Sequence, residues 1–193
     1  DYEANEDGDA HSSMYDDARG LLFSADEDFC KRSGPGIERG YGYLRIWDYW
    51  AGTKPVQLST FRTPNSIWPT QVNSGDYTIH NPWLMGTDVY MSWYSDGVRV
   101  ADTSDPNPDP TTDEENLYDY GKEVAYFVPP ASQNPVRPPQ RGVLSQTPQV
   151  WGVVVRETSD TANGGRCVTG QPGSCLVYLS DMNSGLWVVR RTD

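Results

Sequence analysis

The chain contains two histidines, His11 and His80. Imidazole nitrogens suit zinc, copper, nickel or iron, so the pair, if the fold brought it together, would hold a transition metal. A second donor set lies near the N-terminus, where Asn5, Asp7, Asp9 and Asp16 offer side-chain oxygens in an alternating run. That spacing lets a tight loop wrap a calcium ion. It departs from an EF-hand at two points: Ala10 stands where a glycine makes the sharp turn, and Asp16 closes the run where a bidentate glutamate is needed. A solvated acidic lead-in to a strand has the same composition. Asp105, Asn107 and Asp109 repeat the alternation, but intervening prolines stiffen that loop.

Other chemistry finds less footing. There is no Gly-x-Ser-x-Gly elbow for nucleophilic catalysis, and Gly40-Tyr-Gly42 lacks the third glycine of a dinucleotide fingerprint and leads into a strand. Carboxylate pairs such as Asp26 with Asp28, or Asp96 with Asp102, have the residue types for acid–base work on a glycan. In a chain with 27 acidic residues, however, carboxylates fall close together by chance. No catalytic residue is assigned, and a binding or structural role is the leading expectation.

Against those 27 acidic residues stand 15 Lys and Arg, a formal net charge of -12. A surface of that sign repels nucleic acid and anionic lipid, so neither is an expected partner. No run of about 18 apolar residues is present to insert into a membrane. The chain begins without an initiator Met, in the middle of what reads as a repeat, and so resembles a processed product or a piece of a longer precursor. Cys167 and Cys175 bracket a Gly/Pro-rich stretch, a spacing that suits a disulfide tying the neck of a surface loop in an oxidising compartment. Cys30 is left over, as a free thiol or as the partner of an upstream cysteine. Together these features point to a secreted or cell-surface protein.

The elements that must position these groups come as a repeat. His11, His80 and Trp151 recur at roughly 70 residues, each opening a series of short runs rich in Val, Leu, Ile, Tyr, Phe and Trp and bounded by Gly, Pro, Asp or Asn. The first series is 11–15, 20–24, 42–48 and 54–61, and the second is 77–80, 88–92, 97–102 and 122–128. The third is 150–155, 175–180 and 185–190, with Ser24, Ser92 and Ser180 in matching places. No window shows helical periodicity. The chain therefore reads as all-β, with blade units at about 9–64, 76–130 and 149–193. Insertions fall at 26–40, 103–120 and 158–174, and a Pro-rich linker at 129–149. Four short antiparallel strands per repeat describe the blade of a β-propeller, whereas a sandwich gives no reason for such repetition. His11 and His80 would then open innermost strands, and with Trp151 in the third equivalent place the alternative to a metal site is a position that packs or hydrogen-bonds between blades.

Three stretches carry a resemblance to a known family: Tyr43-Leu-Arg-Ile-Trp-Asp48, Gly97-Val-Arg-Val-Ala-Asp-Thr-Ser-Asp-Pro106 and Ser180-Asp-Met-Asn-Ser-Gly-Leu-Trp-Val-Val-Arg190. They resemble the repeats of bacterial LVIVD-type β-propellers, and the likeness runs over nearly the whole chain. It implies about three blades of a larger exported ring, some members carrying an upstream protease-associated domain, and it implies no reaction. The third unit has no sequence after Arg190 for a fourth strand, so the last blade is expected to lack its own outer strand. A partner would supply it, either upstream blades or another copy of this chain.

Three roles follow as expectations. One is an extracellular structural, adhesion or protein- or glycan-binding module. The second is a metal-dependent secreted enzyme using the propeller channel through His11 and His80. The third is a subunit of an extracellular filament. Trp50, Trp68 and Trp93 lie nearer loops and are the candidates for contact with a glycan or protein partner, whereas Trp47 and Trp187 sit on core-type strands.

Overall fold

The computed structural model describes residues 10–29, 41–50, 52–67, 75–105, 122–133, 146–156 and 176–192. Asn5, Asp7, Asp9, Trp68 and all three cysteines lie outside the described residues, as do most of the three insertions and the middle of the linker. The described part is all-β, in three antiparallel sheets. The first comprises β1 (Ala10–Asp16), β2 (Leu21–Asp26), β3 (Leu44–Asp48) and β4 (Val56–Phe61), and it is followed by a one-turn helix, α1 (Pro64–Ile67). The second comprises β5 (Pro82–Met85), β6 (Asp88–Ser92), β7 (Val98–Asp102) and β8 (Lys122–Phe127). The third comprises β9 (Val150–Val155), β10 (Leu176–Asp181) and β11 (Gly185–Arg190). Every strand pairs with its neighbour in sequence. Among the described residues the third sheet has no fourth strand, and no helix is long and apolar enough to cross a membrane.

Strand register makes the repeat visible in three dimensions. In β1 the pairing skips from Ala10↔Asp26 to Ser12↔Ala25, leaving His11 as the extra residue of a bulge. In β9 it skips from Val150↔Asp181 to Gly152↔Ser180, leaving Trp151 in the same role. The second sheet has its counterpart where His80 N–H donates to the Ser92 carbonyl and Ser92 N–H donates to the Asn81 carbonyl. A further bulge falls at matching places in β4 and β8, opposite Ile46/Trp47 and Val100/Ala101. The alignment of His11, His80 and Trp151 therefore holds. The serine alignment shifts by one in the first unit: Ala25, not Ser24, is the counterpart of Ser92 and Ser180.

Two other elements differ from the sequence expectation. Residues 77–80 do not form the first strand of the second sheet, which starts at Pro82. Ile79 and Thr78 bond instead to the connection between β2 and β3, Ile79 N–H donating to the Gly42 carbonyl and the Asp28 N–H to Thr78 Oγ1, and of this run only His80 bonds by its backbone N–H to β6. The α1 turn is too short to leave a periodic trace, and it is held by reciprocal Thr63–Ser66 capping, with Ser66 N–H donating to Thr63 Oγ1 and Thr63 N–H to Ser66 Oγ.

The sheets stack face to face with the second in the middle. Leu21, Phe23, Ala25, Leu44, Ile46 and Phe61 pack on Ile79, Val89, Met91, Trp93 and Ala101. The opposite face of the second sheet, with Met85, Tyr90, Val98 and Val100, packs on Val150, Val153, Val155, Val177 and Leu179. Cover on both sides explains why β6 is buried along its whole length, while β10 alternates. Side chains that face the next sheet occupy the same register positions each time. Leu44 and Ile46 are 0% exposed and their counterparts Val98 and Val100 3%, whereas Leu186 and Val188, the third set, are 71% and 51% exposed.

Polar contacts repeat across the two seams. Ser12 Oγ donates to the His80 carbonyl, and Ser92 Oγ donates to the Trp151 carbonyl. Arg19 reaches from the β1–β2 turn to the Thr103 carbonyl and hydroxyl, while Arg191 after β11 binds Asp88 and the Tyr90 hydroxyl. Within the first sheet the buried Arg45 guanidinium pairs with Asp26 at 2.6 Å. In the third sheet Trp187, at the position of Arg45, reaches Asp181 through Ser184.

Ser92 is fully buried and its hydroxyl also accepts from Asn81 N–H. Ser92→Ala leaves that amide and the Trp151 carbonyl short of a partner and is expected to cost about 1–3 kcal/mol in urea unfolding. Ser13→Ala, at an exposed position of β1, is expected to stay within about 0.5 kcal/mol of wild type. Equal effects would contradict the seam.

Candidate functional site

The two bulges and the turn after β2 converge on one place. A bulge turns its extra side chain out of the regular alternation, and here His11 and His80 meet with ring centroids 4.3 Å apart. Glu27, the first residue after β2, joins them, with Oε2 at 3.2 Å from His11 Nδ1 and Oε1 at 3.8 Å from His80 Nε2. All three offer a ligand atom within 4.8 Å of the others. Glu27 is carried there by a close backbone crossing: Gly42 N–H donates to the Asp28 carbonyl, and a Cβ on Gly42 would lie 1.8 Å from the Asp26 carbonyl oxygen. Any side chain at Gly42 would push the crossing apart.

A second ring of residues fixes these three. The Tyr94 hydroxyl donates to Glu27 Oε1, and the Trp151 indole N–H donates to His80 Nε2. Tyr94 has φ of 36°, in the left-handed region that non-glycine residues seldom occupy. Reciprocal backbone hydrogen bonds between Tyr94 and Val150 hold it there. The rings of Tyr94 and Trp151 stand edge-on to His80 at 5.6 and 5.4 Å.

His80 is buried and His11 is exposed. With Nε2 accepting from Trp151, the neutral His80 ring carries its proton on Nδ1, which is buried and has no hydrogen-bond partner among the described residues. Burial pushes the His80 pKa down from 6.5 to about 4, the His11 imidazole adds to that, and the Trp151 backbone opposes it. On Coulombic grounds the Glu27 carboxylate also opposes. His80 is thus a neutral donor across the physiological range. Two imidazoles and one carboxylate form a donor set for a transition metal rather than for calcium, which takes oxygen ligands.

The other sequence candidates are dispersed. Asp16 ends the extended strand β1, and its oxygens accept from Ala18 and Arg19 N–H and pair with the Arg19 guanidinium. Asn5, Asp7 and Asp9, the other members of the proposed calcium run, lie outside the described residues. Trp50 is exposed. Trp93 is not: it is fully buried against Phe61, its indole N–H donating to the Tyr77 carbonyl, because it leaves β6 inside the doubly covered middle sheet. Trp47 and Trp187 are half-buried. Asp26 and Asp96 are spent on Arg45, and on Thr63, Asn65 and Arg99.

Sequence reasoning missed Glu27 and Tyr94. Glu27 sits in Asp26-Glu-Asp28, where one acidic residue looks like the next, and only the distance to the bulge residues marks it. Comparison of the chain with family models, with curated proteins and with solved structures found no match. The site is accordingly read from its own geometry.

The unfolded chain, with His80 near 6.5, takes up a proton between pH 6.5 and 4 that the folded state refuses. The stability due to neutral His80 is therefore complete above pH 6.5 and is lost as the pH falls toward 4, by up to about 3 kcal/mol. In metal-free buffer, the difference in unfolding free energy between wild type and His80→Gln is expected to follow that fall. A difference independent of pH would rule out a buried neutral imidazole.

Proposed function

We propose that this chain forms three consecutive blades of a larger extracellular β-propeller, acting as a structural or binding module and not as an enzyme. The observation that carries the reading is the outer face of the third sheet. Leu186, Val188 and Val154 are exposed there, at register positions whose counterparts are packed against a neighbouring sheet in the other two units. Ser180 is exposed as well, whereas its counterpart Ser92 is buried and donates across a seam. A face built to the same pattern as two occupied faces fits one occupant, a further sheet of this repeat. Three sheets stacked in sequence order, with β1, β5 and β9 side by side, agree with a segment of a propeller, as does the resemblance to LVIVD-type repeats.

The missing sheet comes from blades elsewhere in the precursor or from a second copy. The first sheet also leaves a face open, where Tyr15 is exposed although its counterpart Val155 is buried. Head-to-tail union of those two unlike faces makes a heterologous contact, which closes as a ring or continues as a filament. The acidic surface and the cysteine spacing support an extracellular setting.

Native mass spectrometry of the assembled protein tests this. The expected result is a species containing more than three sheets' worth of polypeptide, reduced to a single chain when Leu186 and Val188 are both replaced by Asp. A species of one chain of this length at micromolar concentration, unchanged by those substitutions, would refute it.

A further inference from the structure

We infer that His11, Glu27 and His80 form a binding site for a divalent transition-metal ion, with Zn2+ as its representative, placed across the seam between the first and second sheets. The inference does not depend on how the ring is completed, since His11 and Glu27 belong to the first sheet and His80 to the entry of the second.

The geometry is close to what such an ion needs. A tetrahedral zinc ion with bonds of about 2.0–2.1 Å holds its ligand atoms about 3.3 Å from one another. The His11 Nδ1–Glu27 Oε2 separation is 3.2 Å, the His80 Nε2–Glu27 Oε1 separation is 3.8 Å through the other carboxylate oxygen, and the three side chains offer ligand atoms within 4.8 Å of one another, so they must draw in to meet that. Two histidines and a glutamate supply three positions of a tetrahedral ion and leave the fourth for water or an added ligand. Because His11 is exposed, the ion has a path from solvent.

Buried His80 keeps its Nδ1 proton without a hydrogen-bond partner among the described residues; that N–H is a donor, which leaves Nε2, the nitrogen that faces Glu27, as the ligand atom. That nitrogen is occupied by the Trp151 indole proton, which takes the lone pair a metal would use. Trp151 is 47% exposed, and binding of an ion at Nε2 requires its indole to turn outward. Tyr94, holding Glu27 through its hydroxyl, has the orienting role that partners of metal ligands commonly have. The alternative is a purely structural cluster, in which His11 pairs with Glu27 and Tyr94 holds the carboxylate; the Zn2+ titration separates the two.

An ion bound here ties the two sheets together, so it stabilises the folded state by mass action. Calorimetric titration of metal-free protein with Zn2+ at neutral pH is expected to show one equivalent bound at micromolar concentration or tighter, with a rise in Tm. Mg2+ and Ca2+ are expected to produce neither. His11→Ala and Glu27→Gln should weaken Zn2+ binding by about 100-fold, and Tyr94→Phe by about 10-fold. His11 is exposed, so the metal-free Tm of His11→Ala should stay near that of wild type. Trp151→Phe, which removes the competing indole proton, should tighten binding by about tenfold. Absence of Zn2+ binding by folded wild-type protein, or binding that survives both His11→Ala and Glu27→Gln, overturns the site.

Discussion

Burial of the second sheet on both faces is the constraint from which the arrangement of the other two follows. Val89, Met91 and Trp93 look one way along β6 and its continuation, and Tyr90 the other, so a single strand supplies core to two neighbours. Each side chain deprived of either neighbour would expose apolar surface worth roughly 25 cal/mol per Å2. The polar seams add direction to this pressure. Serine hydroxyls bonded to bulge carbonyls fix how far one sheet can slide along the next, which apolar contact alone would leave loosely defined.

The bulges join architecture to site. A regular β1 would point successive side chains to opposite faces, and His11 would follow that alternation. The extra residue breaks it and brings His11 to His80, whose own position is set by the matching irregularity in the second sheet. The same device in β9 aims Trp151 at His80. One repeated local distortion therefore gathers residues separated by roughly 70 positions in sequence.

Most of the strands were legible because alternating or continuous apolar runs between Gly, Pro, Asp and Asn leave few alternatives, and the repeat of His11, His80 and Trp151 was legible from spacing. What escaped has specific causes. Residues 77–80 have a strand-like composition, but Thr78 and Ile79 bond to the connection between β2 and β3, a tertiary fact. Ser24 and Ser92 look alike in sequence, yet pairing of Arg45 with Ser24 and of Arg99 with Met91 shows the one-residue offset. Trp93 stands beside a turn and still lies in the core, because that turn enters the middle of the stack. Glu27 could not be singled out from its acidic neighbours without knowing which backbone passes beside it.

Tyr94 lies in the turn between β6 and β7, hydrogen-bonds the Glu27 carboxylate just after β2, and exchanges backbone hydrogen bonds with Val150 of the third sheet. Its unusual backbone angle is thus maintained by a sheet that contributes none of the three donor side chains. Any loosening of β9 is therefore felt at the histidine cluster along two routes, through Tyr94 on Glu27 and through Trp151 on His80.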